Sequence, residues 1–258
     1  MSASRSDPVP GGKVERYLAE RLQAGPVHFT LIDPDKSPGE KAAAIARDAV
    51  GLGSHVILLG GSTGISNEVM GRAASAVKAA VPVPVVIFPE GPGSLTPDAD
   101  AVLFMSLLNS RNLDLVIRAH ARAAPAVRSM GLEAIPMGYL VIAPGMRVGE
   151  VGQVDTVARD DLAGACGYAL AAQYLGMRFV YLEAGSGAPE PVPGAMVRAV
   201  RSSLSIPVIV GGGIRSGGDA RTLLEAGADV LVTGTITEEQ GFGEGFRGIL
   251  REVGDARG

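Results

Sequence analysis

Tyr181-Leu182-Glu183-Ala184-Gly185-Ser186-Gly187 is an apolar run that ends in a carboxylate and then breaks into a turn of small residues. Two later segments repeat the form: Val208-Ile209-Val210 leads into Gly211-Gly212-Gly213-Ile214-Arg215-Ser216, and Val230-Leu231-Val232 into Thr233-Gly234-Thr235. Three consecutive buried-strand patterns therefore finish in glycine with a Ser or Thr close by. Glycine lets an anion approach the backbone, and N–H groups at the start of a following helix bind it. The arrangement predicts the phosphate cradle of a parallel α/β barrel, and with it a small phosphorylated substrate.

Working outward, the same alternation extends over the whole chain. Strand patterns fall at Val27–Ile32, Val56–Leu59, Val85–Phe88, Ala101–Met105, Met137–Ile142, Phe179–Leu182, Val208–Val210 and Val230–Val232. Helical patterns separate most of them, among them Glu40–Val50, Asn67–Ala80, Asp160–Leu175 and Gly218–Ala226. Continuous rather than alternating apolarity marks strands covered on both faces. Eight such units in 258 residues predict a closed (β/α)8 TIM barrel. An open doubly wound sheet would instead show one dominant glycine fingerprint near its first strand. The third unit is irregular: Pro82, Pro84, Pro89, Pro92 and Pro97 leave little room for a helix after the third strand. Residues 1–12, rich in Ser, Pro and Gly, read as a mobile tail, and 13–258 as one domain.

Composition narrows the function. Hydrophobic residues make up 47% of the chain and aromatics 4%, so Val, Leu, Ile and Ala must fill the core. A net charge of −4 with scattered Lys and Arg argues against nucleic acid as a partner. The single cysteine, Cys166, excludes an internal disulfide and reads as a packing residue. No apolar run reaches the roughly 18–20 residues that span a bilayer, and the N-terminus has no signal-peptide core. The expected location is the cytoplasm, so that a lipid substrate would be met in transient contact with a membrane surface. A homo-oligomer is expected.

Barrel chemistry sits at the C-terminal ends of the strands. The first strand ends in Asp33-Pro34-Asp35-Lys36, whose carboxylates are hard ligands suited to Mg2+ shared with substrate phosphates, or else a turn and helix cap. The second ends in Gly60-Gly61-Ser62-Thr63-Gly64, where Ser62 reads as a contact to the ion or a diphosphate, or as a helix cap before Glu68. Glu183 ends an apolar strand, and a desolvated carboxylate there needs a partner or a task. A catalytic role and a core ion pair are both open. Tyr139 and Tyr181 offer hydroxyls to the site or pack in the core. Arg215 reads as a solvated loop residue. His28, His55 and His120 lack metal-ligand spacing and read as packing or surface residues.

Together, His28-Phe29-Thr30-Leu31-Ile32-Asp33-Pro34-Asp35-Lys36, Gly60 to Gly64, Leu108-Asn109-Ser110-Arg111-Asn112, Tyr181 to Gly187 and Gly211 to Ile214 resemble the geranylgeranylglyceryl phosphate synthase family. The match runs in order from about Val27 to Glu238. The resemblance implies Mg2+-dependent transfer of a long prenyl group from its diphosphate to the C3 hydroxyl of sn-glycerol 1-phosphate, the first ether bond of archaeal-type lipids. It assigns Mg2+ to Asp33 and Ser62, and catalysis to Glu183 with Tyr181. Glycerol phosphate falls to Tyr181, Leu182, Glu183, Ala184, Gly185, Ser186, Gly187, Gly212, Gly213, Gly234 and Thr235. Leu31, Ala184-Gly185-Ser186-Gly187 and Gly234-Thr235 depart from one branch of the family and resemble its second branch. Another donor chain length, a sugar-phosphate isomerase or epimerase, and a non-catalytic phosphoprenyl-binding protein remain as alternatives.

Overall fold

The computed structural model describes residues 11–61 and 64–257. Ser62 therefore lies outside the described residues, as do residues 1–10 of the segment read as a tail. Eight parallel strands close into a barrel in sequence order: β1 (Val27–Ile32), β2 (Val56–Leu59), β3 (Val85–Ile87), β4 (Ala101–Leu107), β5 (Glu133–Val141), β6 (Phe179–Glu183), β7 (Val208–Gly211) and β8 (Val230–Thr233). Strand β5 begins at Glu133, earlier than the sequence pattern suggests. Pro136 interrupts the apolar run, yet it pairs in register with Phe104.

The continuous apolarity of the strands has a direct physical cause. On β6, Phe179 and Tyr181 point into the barrel with Phe29, Leu58, Met137 and Ile209, while Val180 and Leu182 point outward into the helix layer. Both faces are dry, so the period-two signal disappears. Helix α1 (Lys13–Gln23) closes the N-terminal end of the barrel with Val14 and Leu18. Its first turn is held by the Glu133 carboxylate, which accepts from Val14 N and Glu15 N, each at 2.8 Å.

The outer layer comprises α2 (Glu40–Gly51), α3 (Asn67–Ala80), α4 (Ala119–Met130), α5 (Met146–Val151), α6 (Leu162–Tyr174), α7 (Gly194–Ser203), α8 (Gly217–Glu225), α9 (Thr235–Gln240) and α10 (Glu244–Asp255). The stretch between β3 and β4 carries only a 3-10 turn, Pro92–Ser94, as its prolines predict. A groove opens where a helix would otherwise pack. Two helix-cap readings are corrected. The cap of α3 is Ser66, whose side chain accepts from Val69 N at 3.3 Å, and not Ser62. Helix α2 begins at Glu40 behind Gly39, so neither carboxylate of Asp33-Pro34-Asp35 caps it.

One polar network is buried between the barrel and the helices. His28 Nδ1 meets Ser54 Oγ at 3.1 Å, His28 Nε2 meets Thr233 Oγ1 at 3.0 Å, and the ring packs edge-on against Phe246. Burial holds the His28 pKa down at about 3, so the ring is neutral and serves as a packing residue. Cys166 is part of the apolar α6 layer.

Candidate active site

Glu183 is the last residue of β6 and faces inward, in register with Val141 and Gly211. Its carboxylate is 6% exposed and has no cationic partner in ion-pair contact among the described residues. Oε1 accepts from Gly185 N at 2.7 Å, and Oε2 accepts from the Tyr139 hydroxyl at 3.0 Å. The Tyr181 hydroxyl also acts on this carboxylate and lowers its pKa. Burial pushes the Glu183 carboxyl above the usual range, and these three groups oppose the shift. Burial raises both tyrosines well above the ordinary phenol value, and Glu183 adds to the effect, so they remain O–H donors. Below the carboxylate, Phe88, Tyr139 and Tyr181 form an aromatic floor with Tyr139 and Tyr181 centroids 4.9 Å apart. The core ion-pair reading of Glu183 is thus set aside: it is a buried carboxylate held by neutral donors.

The glycine loops surround a small pocket of about 70 Å3 on one side of Glu183. Tyr181, Ser186, Gly187, Gly212, Gly213, Gly234 and Thr235 line it, all expected from the sequence. Two of its three loops touch directly through Ser186 Oγ and Thr235 Oγ1 at 2.7 Å. Leu182 and Ala184 belong to the outer layer behind it, and Gly185 serves through its N–H to Glu183. Gly212 sits at φ +81°, with the position a Cβ would take already filled by Glu183 Oε1 and the Gly185 backbone. Gly213 sits at φ +72°, and a Cβ there would lie 2.6 Å from the carbonyl of Glu190. The crowding at Gly213 thus comes from the loop behind the cradle rather than from the pocket side.

On the other side of Glu183 lies a groove of about 720 Å3. Phe88, Leu95, Val102, Phe104, Ala123 and Val127 carry it from the barrel mouth across β4 to α4. One wall is braced by Asn109 and Ser110. Asn109 Nδ2 donates to the carbonyls of Val141 and Asp155, both at 2.9 Å, and Ser110 Oγ donates to Gly152 O at 2.6 Å. Glu183, Ser186 and Leu31 line both cavities. The two cavities therefore meet at the buried Glu183 carboxylate.

Asp33 follows β1 at this mouth and is 4% exposed. Oδ1 accepts from Asp35 N at 3.0 Å, and Oδ2 lies 3.6 Å from Lys36 Nζ. Asp35 itself is exposed at the groove edge. Among the described residues no group of three or more His, Cys, Asp or Glu could hold a metal. One buried carboxylate beside an anion pocket still suits Mg2+, which fills its remaining sites with water and substrate phosphates.

Two cations stand near the cavities: Arg215 is an exposed loop residue, as the sequence predicts, and Lys36, to which the sequence reading gave no role of its own, is exposed too. Arg215 reaches the small pocket, with Nη1 3.8 Å from Glu239 Oε2 and Nη2 3.4 Å from Gly187 O. Lys36 stands at the groove with Nζ 2.8 Å from Glu238 Oε2. Arg215 stands two positions past the glycine triplet Gly211-Gly212-Gly213. Lys36 stands three positions past Asp33.

Comparison with known proteins agrees with this geometry. The model of the PcrB family matches residues 16–253. Geranylgeranylglyceryl phosphate synthase of Pyrococcus horikoshii is 50% identical over 228 residues, covering 88% of this chain and 90% of that one. The enzyme of that name from Thermoplasma acidophilum is 49% identical over 86% of this chain and 87% of its own. A crystal structure of the (S)-3-O-geranylgeranylglyceryl phosphate synthase from Thermoplasma acidophilum, in complex with its substrate sn-glycerol-1-phosphate, aligns with a TM-score of 0.89 at 46% identity, covering 94% and 98% of the two chains. Thiamine phosphate pyrophosphorylase from Pyrococcus furiosus aligns with a TM-score of 0.57 at 14% identity, a likeness of fold alone.

Proposed function

The chain belongs to the PcrB family, and from that premise we propose that it is a geranylgeranylglyceryl phosphate synthase. It transfers the geranylgeranyl group from its diphosphate to the C3 hydroxyl of sn-glycerol 1-phosphate. The observation that carries this reading is the meeting of a small polar pocket and a long apolar groove at Glu183. An isomerase or epimerase acting on a small phosphorylated sugar would have no use for the groove, and a carrier protein none for the buried base.

The step follows from the residues. The backbone of the three glycine loops holds the acceptor phosphate, which directs the C3 hydroxyl toward Glu183. As the hydroxyl oxygen bonds to C1 of the prenyl chain, the bond from C1 to the diphosphate oxygen breaks. The hydroxyl proton passes to Glu183, and the diphosphate leaves. A carboxylate whose pKa is raised is a stronger base toward that proton. The Tyr139 hydroxyl fixes its orientation, and the aromatic floor excludes water from the reacting carbon. The groove supplies donor affinity by burying the chain, at about 0.8 kcal/mol per CH2.

Mg2+, bound by Asp33 and the donor diphosphate, would supply positive charge to the leaving group. The residues fit this role, and Ser62 is a further ligand by family resemblance. No helix among the described residues is long and apolar enough to cross a membrane, so the reading places the protein in the cytoplasm, exchanging its lipid at a membrane surface. It is a homo-oligomer in this reading, with Tyr168, Tyr174 and Leu175 giving α6 an exposed apolar face.

Incubation with labelled sn-glycerol 1-phosphate and geranylgeranyl diphosphate tests the reading. Organic-extractable label is expected with Mg2+ and none in EDTA. Asp33→Asn should weaken donor binding and flatten the Mg2+ dependence. Asp35→Asn should stay within about threefold of wild type, because only its backbone N–H holds Asp33. Full activity in EDTA, or Asp35→Asn proving the worse of the two, would remove the metal from Asp33.

A further inference from the structure

Two adjacent carboxylates on α9, Glu238 and Glu239, stand beside cavities that the proposed function fills with anions. Glu239 lines the small pocket, and Glu238 faces the groove through Lys36. A carboxylate at the edge of a phosphate pocket repels the ligand, so its presence calls for a physical reason. Each is paired with a cation from a different strand end: Lys36 after β1 with Glu238 at 2.8 Å, and Arg215 after β7 with Glu239 at 3.8 Å. All four side chains are more than a third exposed, Glu238 the least at 35%. Such pairs are weak and exchangeable. A phosphoryl group offers Arg215 a bidentate partner, a stronger bond than the 3.8 Å contact it would give up.

We propose that Lys36 and Arg215 are substrate-binding residues held in waiting by Glu238 and Glu239, and that the two substrates displace these carboxylates. Arg215 then takes the acceptor phosphate, and Lys36 takes the donor diphosphate. This rests on the proposed function for the identity of the two anions. Because both carboxylates sit on one helix of six residues, arrival of one substrate loosens the helix for the other.

Calorimetric titration separates this from a merely structural role. The ligands are sn-glycerol 1-phosphate alone and geranylgeranyl diphosphate alone, so that no turnover occurs. Arg215→Met should weaken the acceptor, and Lys36→Met the donor, each by about tenfold or more. Glu239→Gln should tighten the acceptor, and Glu238→Gln the donor, by about two- to fivefold. If the ion pairs only brace the loop, the glutamine variants will bind with unchanged or weaker affinity, and that result overturns the proposal. Undiminished affinity in Arg215→Met or Lys36→Met overturns it as well. Failure of the wild-type chain to bind either ligand would instead sink the proposed function.

Discussion

The acceptor pocket holds about 70 Å3 between backbone and short polar side chains, whereas the neighbouring groove holds about 720 Å3 between apolar ones. The pocket is built where the barrel is most regular, on β6, β7 and β8, each finishing in a glycine turn. The groove is built where the barrel fails, at the unit whose helix has been reduced to Pro92–Ser94. A rigid scaffold with close backbone approach suits a small anion that must be oriented. A long flexible chain needs volume and dry surface, and tolerates irregular walls. Specificity for the acceptor should thus be brittle to single atoms, and specificity for the donor should follow volume.

The strongest test is at the seam, where both cavities depend on Glu183. Glu183→Gln keeps the shape of the pocket and leaves Tyr139 and Tyr181 in place. Turnover should fall by about 10²–10⁴-fold, the usual worth of a general base, with little change in the KM for glycerol phosphate. Steady-state kinetics within about threefold of wild type would show that the seam positions substrates without doing chemistry, and the comparison would lose its reactive centre.

Gly213→Val probes the brittleness of the pocket. The added side chain meets Glu190 and Pro191, a segment pinned by Arg159 Nη2 at 3.0 Å from both Glu190 Oε2 and Pro191 O. The loop cannot yield on that side, so it must shift toward the acceptor. The KM for glycerol phosphate should rise by at least about tenfold, and the melting temperature should fall as the left-handed backbone takes on strain worth about 1–3 kcal/mol. An unchanged acceptor KM in a folded variant would show a cradle more tolerant than its geometry requires.

These two positions also mark what was legible in the sequence. Glu183 and the glycine triplets announce themselves because a lone carboxylate and a run of glycines are both costly in a strand end unless used. The barrel was readable for a similar reason, since strands buried on both faces stay apolar throughout. Five prolines between Val81 and Asp98 marked the unit that becomes the groove. What stayed hidden depends on contacts distant in the chain. Lys36 and Glu238 are 202 residues apart, and nothing local to either points to the other. The sequence leaves Tyr139 open between core and site, because its hydroxyl contact to Glu183 joins residues 44 apart. Asn109 gave no sign of its bonds to Val141 and Asp155. The cap of α3 is not fixed by residue type, because several Ser and Thr precede the helix, and the backbone assigns it to Ser66.

The groove should respond to bulk in a graded way. Ala123→Phe adds a ring to the wall on α4. If it displaces about two methylene groups' worth of burial, the loss at about 0.8 kcal/mol each is roughly ten- to twentyfold in KM for the geranylgeranyl donor. A donor one isoprene unit shorter should be affected far less, and acceptor kinetics should not change. Measuring kcat/KM for donors of several lengths separates the outcomes. Equal losses at all lengths would mean that the chain does not run past Ala123, and the groove's claim on the donor would fail.

Tyr139→Phe makes the smallest change, and tests whether the aromatic floor tunes the base or only packs beneath it. The Tyr139 hydroxyl donates to Glu183 Oε2 and holds that carboxyl pKa lower than burial alone would set it. Removing the donor therefore raises the Glu183 pKa further. The base works in its ionised form, so activity is lost as pH falls through this pKa. The acid limb of the kcat profile should move to higher pH in the variant. At high pH, where Glu183 is ionised in both proteins, the deficit should stay below about tenfold, the worth of one net hydrogen bond. Phe88 and Tyr181 still pack against the remaining ring, so stability should change little. An acid limb that stays in place while kcat drops at every pH would mean that Tyr139 orients the carboxylate without setting its basicity.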